Sequence, residues 1–345
     1  MADGYARDVA LVCTMLNEAH SVNDLMQSIA AQTVRPREVI IVDGGSRDGT
    51  QLHVEWWHGR LGCPLRLVEL TGTGIATGRN AGIAAARFPI IAITDAGVRL
   101  DARWLEQITA PFADETVSIS AGFFVADPHT LFEVAMGAAV LPHVDEINPA
   151  RFLPSSRSVA VRKAAWERIG GYPEWLDYCE DVVFDLAFRE AQMRLAFVPN
   201  AIARFRPRTT LRAFWHQYFR YARGDGKAGL WPMRHAIRYA TYGGLLGLML
   251  QGKRGRPAWP LVIAGAAFAL RRPYARLRPM LHPLPTAKRA EAIALVPLIR
   301  AVGDAAKMCG YPVGVAWRLR HHGFGWTWRD AIREAEGSIA GDGVG

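Results

Sequence analysis

"EVIIVDGGSRDGT", residues 38–50, joins an apolar run, an aspartate, two glycines and a second aspartate in one short stretch. The continuous β-branched run 39–42 predicts a buried strand of a parallel sheet. Asp43 and the glycines then fall at the carboxyl end of that strand, the edge at which open α/β sheets bind ligands. The stretch therefore predicts a strand that ends either in a ligand site or in a plain chain reversal.

Strands and helices alternate through the first hundred residues. The segments "VALVCTML" (9–16), "LRLVEL" (65–70) and "PIIAITDAGVRLD" (89–101) predict further strands, and amphipathic or alanine-rich helical patterns lie between them. Such alternation predicts an α/β fold with a mostly parallel sheet, right-handed crossovers and flanking helices.

Composition limits the class of protein. Half of the 345 residues are apolar, which is enough for a substantial core. The four cysteines lie far apart with no C-x-x-C pair, which argues against a zinc ribbon or a disulfide framework and favours a reducing compartment. The segment "MADGYARDVALV" lacks a basic stretch followed by a long apolar one, so we expect no secretory signal.

Basic residues become dense after Arg204 in a chain of net charge +9. No zinc finger or RNP-type motif accompanies them, so we expect no nucleic-acid partner. Arginine instead brackets apolar runs at 239–250, 257–270 and 292–299, each shorter than the ~20 residues that span a bilayer as one helix. The pattern favours interfacial or re-entrant helices on an anionic membrane over a buried helical subdomain. The bases between the first two runs are Lys253, Arg254 and Arg256.

Polar residues recur where the predicted strands end. These positions are Asn17 and Glu18 after the first strand, Asp43 after the second, Arg79 and Asn80 in the third helix, and Asp95 after the fourth strand. One acid at a strand end is usually a turn or cap residue, but several polar positions at one sheet edge predict a ligand site. The glycines within 72–78 are spaced G-x-G-x-x-x-G, so a Rossmann dinucleotide site is a weaker alternative.

These segments, in this order, resemble the family 2 glycosyltransferases, which have the GT-A fold. The matching stretches are "LNEAHSVNDLMQSIAAQT" (16–33), "EVIIVDGGSRDGT", "GTGIATGRNAGI" (72–83), "IIAITDAGVRLDARWL" (90–105), "VRKAAWERIGGYPEWLDYCEDVVFDLAFREAQM" (161–193) and "HQYFRYARGDG" (216–226). The resemblance implies a GT-A domain over 1–226, with a nucleotide-sugar half (about 9–125) and an acceptor and catalytic half (about 126–226). Residues 227–345 would form a helical, basic–apolar and membrane-associated region.

The resemblance implies a donor-binding set at the sheet edge. Asp43 would accept a hydrogen bond from a nucleobase N–H, and Gly44 would let the backbone approach the ligand. Arg79 would lie near the phosphates, while Asn80 is equally readable as a cap or packing residue. The full implied set is Thr14, Asn17, Glu18, Asp43, Gly44, Arg79, Asn80 and Asp95.

The family binds a divalent cation through a D-x-D motif, whereas this chain reads Asp95-Ala96-Gly97. Because hard cations can take one carboxylate and complete their shell with phosphate and water, Mg²⁺ or Mn²⁺ is still expected, with no organic cofactor. His216 is a second candidate ligand, although a surface histidine is the simpler interpretation.

The implied catalytic base is Asp181 in "YCEDVVF", with Glu180 beside it. An acid pair at a helix start is also what the helix dipole alone would favour. Residues expected to contact the diphosphate or the acceptor are Arg157, Gln217, Arg220 and Arg223, and a solvated helix face is the alternative for the last two.

The sequence therefore predicts an inverting glycosyltransferase on the cytoplasmic face of a membrane, moving a sugar from a nucleotide-sugar donor, UDP-linked by resemblance, to a lipid-linked or polysaccharide acceptor. A non-catalytic sugar-nucleotide or glycan-binding protein is the alternative suggested by the incomplete D-x-D motif. A nucleotidyltransferase is a weaker one.

Overall fold

The computed structural model describes residues 8–252 and 259–341, which form two compact units. The first unit contains residues 8–125, 144–205 and the segment from 329 onward. The second contains 126–143 and 206–328. Lys253, Arg254 and Arg256, which the membrane prediction uses, lie outside the described residues.

The first unit is built on a mixed eight-stranded sheet in the order β3-β2-β1-β4-β7-β6-β8-β5. Its strands are β1 (Val9–Met15), β2 (Glu38–Asp43), β3 (Leu65–Glu69), β4 (Ile90–Asp95), β5 (Val98–Leu100), β6 (Val117–Ala126), β7 (Val159–Arg162) and β8 (Arg194–Phe205). The predicted strands β1 to β4 pair in parallel, whereas the β4–β7, β7–β6 and β5–β8 pairs are antiparallel. The expected α/β fold is thus confirmed, with an antiparallel half added to the sheet.

Helices cover both faces of this sheet. They are α1 (Val22–Ala30), α2 (Thr50–Trp56), α3 (Ile75–Ala85), α4 (Trp104–Thr109), α6 (Lys163–Arg168), α7 (Glu180–Glu190) and α12 (Trp328–Gly341). Alternate residues of β1 enter different cores: Leu11 packs with α1 and α4 residues on one face, and Val12 with α3 and α7 residues on the other. Because both faces are covered, β1 and β2 read as unbroken apolar runs rather than alternating ones.

The second unit is helical. It consists of α5 (Leu131–Val140), α8 (Leu211–Ala228), α9 (Pro232–Gly252), α10 (Trp259–Leu281) and α11 (Thr286–His322). Glycines let α11 approach α8 closely, since a Cβ atom at Gly310 would lie 2.1 Å from the Phe219 carbonyl oxygen, and one at Gly314 would lie 2.0 Å from that of Arg223. The predicted boundary at residue 226 falls inside α8, and the functional division of the chain stays a prediction.

Helices α9 and α10 carry large apolar side chains on their surfaces. Those at least two-fifths exposed in the two helices include Leu246, Met249, Leu250, Trp259, Leu261, Ile263 and Phe268. None of the helices in the described part of the chain has the combination of length and hydrophobicity that crossing a bilayer requires. All four cysteines lie in that part and are free thiols.

Candidate active site

The parallel register brings the predicted strand-end residues to one edge of the sheet. Asp43, at the end of β2, pairs with Met15 of β1, and Asp95, at the end of β4, pairs with Thr14 of the same strand. The two acids therefore flank β1 at its carboxyl end, as the alternation of strands and helices predicts. Thr14 itself is buried, and its hydroxyl oxygen has no hydrogen-bond partner in the structure.

The side chain of Asp43 is buried and holds its own loop. Its Oδ2 accepts hydrogen bonds from the Gly45 N–H at 3.0 Å, the Ser46 N–H at 2.9 Å and Gln51 Nε2 at 2.8 Å, while Oδ1 accepts from the Ser46 hydroxyl. Burial alone would raise the pKa of Asp43, but these hydrogen bonds outweigh it and keep the pKa below its usual value. Asp43 is therefore a fixed anion at neutral pH.

In this loop the position that requires glycine is Gly45 and not Gly44. Gly45 has a φ of +96°, and a Cβ atom there would lie 2.9 Å from the Thr71 methyl carbon. At Gly44 the nearest atom to such a Cβ would be 3.6 Å away, which is ordinary contact. The turn after β2 thus depends on glycine at its second position.

Asn17 and Glu18 tie the end of β1 to the Asp43 loop. The Asn17 N–H donates to Ser46 Oγ at 2.8 Å, and Asn17 Oδ1 accepts from the Arg47 N–H at 2.9 Å. The Glu18 N–H donates to Thr50 Oγ1 at 2.8 Å, and the Glu18 carboxylate accepts from the Ser21 hydroxyl. These contacts make the two strand ends one connected surface.

Arg79 links a carboxylate at the end of β4 to one at the start of α7. Its Nη2 donates to Asp95 Oδ1 at 2.7 Å, and its Nη1 donates to Glu180 Oε1 at 2.6 Å. The residue is only 2% exposed. Removing this guanidinium would leave two buried carboxylates without their shared cation, which is the costly way to break a buried ion pair.

Tyr172 forms the wall behind this guanidinium. The Arg79 Cζ atom lies 5.2 Å from the centre of the Tyr172 ring, and that ring stacks on Phe184 of α7 with centroids 3.8 Å apart. The sequence analysis missed Tyr172. Tyr172 lies in the segment "GGYP" (170–173), which predicts a turn. That pattern does not predict a contact with Arg79.

Asn80 acts as a brace for the same turn. Its Nδ2 donates to the Tyr172 carbonyl at 2.8 Å and to Glu174 Oε1 at 2.9 Å. Its Oδ1 accepts from the Tyr172 N–H at 2.8 Å and from Trp166 Nε1 at 3.2 Å. With its amide fully engaged inside the protein, the packing interpretation of Asn80 fits the structure, whereas the cap interpretation does not, because the residue lies inside α3.

Glu180 and Asp181 open α7, and both carboxyl groups have raised pKa values. Burial and the neighbouring charge of Asp181 raise the pKa of Glu180 to about 7, against the pull of Arg79. Burial also raises the pKa of Asp181, although Arg79 and Arg157 favour its charged form. Acids that titrate near neutrality are suited to accept a proton during a reaction.

Arg157 stands beside Asp95. Its Nε lies 3.8 Å from Asp95 Oδ2, and its Nη1 donates to Ser155 Oγ at 3.2 Å. The guanidinium also lies over the Phe205 ring, with Cζ 4.9 Å from the ring centre. Arg79 and Arg157 together lower the pKa of Asp95, although burial acts in the opposite direction.

The residues predicted from the late motif lie on α8 of the second unit. His216 and Arg220 are exposed, and Gln217 and Arg223 are partly buried. Gln217 Nε2 donates to the Tyr221 hydroxyl at 2.7 Å, within the motif itself. The roles of Gln217, Arg220 and Arg223 toward a diphosphate or an acceptor stay predictions, as does that of His216 as a metal ligand.

The metal-binding prediction concentrates on Asp95, because it is the one acid of residues 95–97. Guanidinium groups face both of its carboxylate oxygens. Among the residues that the structure describes, no three histidine, cysteine, aspartate or glutamate side chains are grouped to hold a metal ion. This donor set does not fit a cation held by paired carboxylates.

The chain is similar in sequence to known glycosyltransferases. Residues 11–165 match the family model described as glycosyl transferase family 2. A pre-mycofactocin glycosyltransferase of Mycobacterium tuberculosis is 29% identical over 234 residues, which cover 60% of this chain and 44% of that protein. A dodecaprenyl-phosphate galacturonate synthase of Rhizobium johnstonii is 32% identical over 120 residues, covering 34% of this chain and 36% of the relative. The chain thus spans less than half the length of these curated relatives.

A solved structure shares the fold. It is the mannosyltransferase PcManGT from Pyrobaculum calidifontis in complex with GDP-Man and Mn²⁺. The two structures superpose with a TM-score of 0.55 at 21% sequence identity, and the alignment covers 92% of this chain and 89% of the mannosyltransferase chain. Together with the family match, this likeness confirms the resemblance drawn from the sequence. Residues 11–165 match glycosyl transferase family 2, and the chain has a GT-A-like fold.

Proposed function

We propose that the protein transfers a sugar from a nucleoside diphosphate sugar to an acceptor, with inversion at the anomeric carbon. The observation that carries the proposal is the linked cluster in which Arg79 bonds Asp95 on the strand side and Glu180, next to Asp181, on the helix side. Such a cluster holds a candidate proton acceptor in a fixed position beside Asp95.

The proposed reaction assigns each group a task. The acceptor oxygen attacks the anomeric carbon on the side opposite the diphosphate, while Asp181 takes the proton of the attacking hydroxyl. The bond between the anomeric carbon and the phosphate oxygen breaks, and its electron pair leaves with the nucleoside diphosphate. Arg79 keeps Glu180 and Asp95 in place, and Asp43 would accept a hydrogen bond from the nucleobase.

Donor and acceptor are proposed as chemical classes. UDP sugars are the first donors to test, and GDP sugars follow because the solved structural neighbour holds GDP-Man. A lipid-linked or polysaccharide acceptor suits the apolar surface of α9 and α10, and one relative is named as a synthase acting on dodecaprenyl phosphate. Single additions rather than processive synthesis are proposed.

A donor screen tests this function. Purified protein would be incubated with a panel of UDP and GDP sugars, and nucleoside diphosphate release would be measured with and without lipid phosphate or glycan acceptors. We expect release from one donor class, increased by acceptor. Binding of nucleotide sugars without release would indicate a binding protein instead. Pyrophosphate release from a nucleoside triphosphate would indicate a nucleotidyltransferase.

We also propose that the second unit holds the enzyme on the cytoplasmic face of a membrane. Leu261, Ile263 and Phe268 of α10 are each about two-thirds exposed. The Arg271 guanidinium lies over the Phe268 ring, with Cζ 4.0 Å from its centre. Apolar side chains that insert at the interface and arginines that meet anionic headgroups would together hold such a helix in the membrane surface.

Vesicle flotation tests the anchor. The full chain should float with anionic vesicles, salt should release only part of it, and detergent should release the rest, because apolar burial is not screened by salt. Changing Leu261, Ile263 and Phe268 together to serine should abolish flotation. Leu52→Ser, at an equally exposed position of α2, is the control. Unchanged flotation of the triple variant would remove α10 from the proposed anchor.

A further inference from the structure

The family motif has its second acid at position 97, where this chain has glycine. Local packing does not require a glycine there. Gly97 does not have a positive φ. A Cβ atom there would meet a single heavy atom within 4 Å, Glu18 Oε2 at 3.9 Å. A side chain could therefore begin at this position without a close contact, so crowding at the Cβ position does not explain the missing carboxylate.

A guanidinium stands beside the one remaining carboxylate of the motif. Arg157 Nε lies 3.8 Å from Asp95 Oδ2, and about a quarter of the Arg157 side chain is exposed. The rings of Phe205 and Phe124 lie 4.9 and 5.9 Å from its Cζ atom, and Ser155 accepts a hydrogen bond from its Nη1. The positive group is thus held in position yet remains accessible to a ligand.

Arg79 cannot supply this charge in the same way. Both of its terminal nitrogens donate to carboxylates, and the residue is almost fully buried. The Arg157 side chain, by contrast, is 26% exposed, against 3% for that of Arg79, and its Nε lies 3.8 Å from Asp95 Oδ2. A guanidinium presents two parallel N–H groups that match the paired oxygens of a phosphate.

We infer that Arg157 takes the place of the divalent cation at the donor diphosphate, so that this enzyme binds nucleoside diphosphates without a metal ion. The inference rests on the proposed function and names the group that recognises the phosphates of that same site. It replaces the Mg²⁺ or Mn²⁺ expected from the family resemblance.

Isothermal calorimetry with UDP and GDP tests the inference. Wild-type affinity should change by less than about threefold between EDTA and millimolar Mg²⁺ or Mn²⁺. Arg157→Gln should weaken binding by about 10- to 100-fold in both buffers, because a charged hydrogen bond is lost. Arg157→Lys should recover part of the loss. Arg168→Gln, which removes the same charge from an exposed position of α6, should leave affinity unchanged.

A gain-of-function variant provides an independent arm. Gly97→Asp restores the D-x-D spacing at a position where a Cβ atom meets no close contact, and its Mn²⁺ binding can be followed directly by electron paramagnetic resonance without nucleotide or turnover. Gly97→Asp should bind Mn²⁺ more tightly than wild type. Gly97→Asn, whose side chain has the same shape as aspartate but no charge, should not.

The outcomes separate this inference from the proposed function. Wild-type binding that requires a cation, or Arg157→Gln that binds as tightly as wild type, would overturn the role of Arg157 and leave the glycosyltransferase proposal intact. Wild type that binds no nucleoside diphosphate in either buffer would overturn both.

Discussion

The two acidic ends of the site are built in different ways. Asp43 receives its hydrogen bonds from residues 45, 46 and 51 of its own loop and helix. Arg79 instead joins Asp95, 16 residues away, to Glu180, 101 residues away. The Asp43 loop, which is the proposed nucleotide end of the site, is therefore a local structure. The proposed reaction end, around Arg79, exists only once the sheet and α7 have come together.

The reaction end should show the largest effect on activity. Asp181→Asn keeps the shape of the side chain but cannot take a proton, so transfer should fall by roughly 10²- to 10⁴-fold. Nucleoside diphosphate affinity should stay within about twofold by calorimetry. Glu167→Gln, an exposed change on α6, is the control. Full activity of the asparagine variant would return Asp181 to a helix-start residue with no catalytic role.

The same end should show the largest effect on stability. Arg79→Gln leaves Asp95 and Glu180 without their shared cation, and breaking a buried ion pair from one side costs about 3–5 kcal/mol. Urea denaturation followed by circular dichroism measures the loss. The variant Arg87→Gln, whose guanidinium is more exposed, should cost less. Equal losses for the two variants would mean that the Arg79 cluster does not hold the unit together.

The nucleotide end should show a smaller effect, on binding. Asp43→Ala removes a charged acceptor, and nucleotide affinity should fall by about 1.5–3 kcal/mol. Asp48→Ala serves as the matched variant, because Asp48 also holds this loop by accepting from the Ala19 and Thr50 N–H groups. If calorimetry gives the two variants the same loss, Asp43 acts by ordering the loop and not by contacting the base.

The pH profile should show the smallest effect. The base must be unprotonated, and burial raises the pKa of Asp181 as well as that of the neighbouring Glu180, the latter to about 7. Transfer should therefore be lost as pH falls, and the loss should begin at a higher pH than for an exposed aspartate, because the raised pKa lets the base take up its proton earlier. Glu180→Gln removes the neighbouring negative charge, so the acidic limb should move to lower pH. If the acidic limb of the pH–activity profile is the same in Glu180→Gln as in wild type, the two acids are not coupled.

The contrast between the two ends also explains what the sequence could predict. Strands β1 to β4, their parallel pairing and the position of Asp43 follow from apolar runs and turn residues that are read within a few positions. The family resemblance supplied Asp181, but no local pattern could show that Arg79 contacts Glu180. The antiparallel strands β6 to β8 were missed for the same reason, since their partners lie far along the chain. The strand predicted over 89–101 divides into β4 and the short strand β5, which pairs with β8 instead.

Asn80 and Arg157 are two residues whose surroundings could not be predicted from the sequence. No sequence pattern shows how many hydrogen bonds the Asn80 amide already makes inside the protein, so a ligand role and a packing role could not be distinguished. Arg157 lies in a polar segment, "PSSRS", with no periodicity. Its place beside Asp95 depends on the pairing of β7 with β4, which the sequence does not specify locally.

The anomeric configuration of the product tests the central claim most directly. With the best donor from the screen, proton nuclear magnetic resonance of the first product formed distinguishes inversion from retention. We expect inversion, so that an α-linked donor yields a β-linked product, because the acceptor attacks opposite the diphosphate with Asp181 as base. An α-linked product from the wild-type enzyme would contradict it.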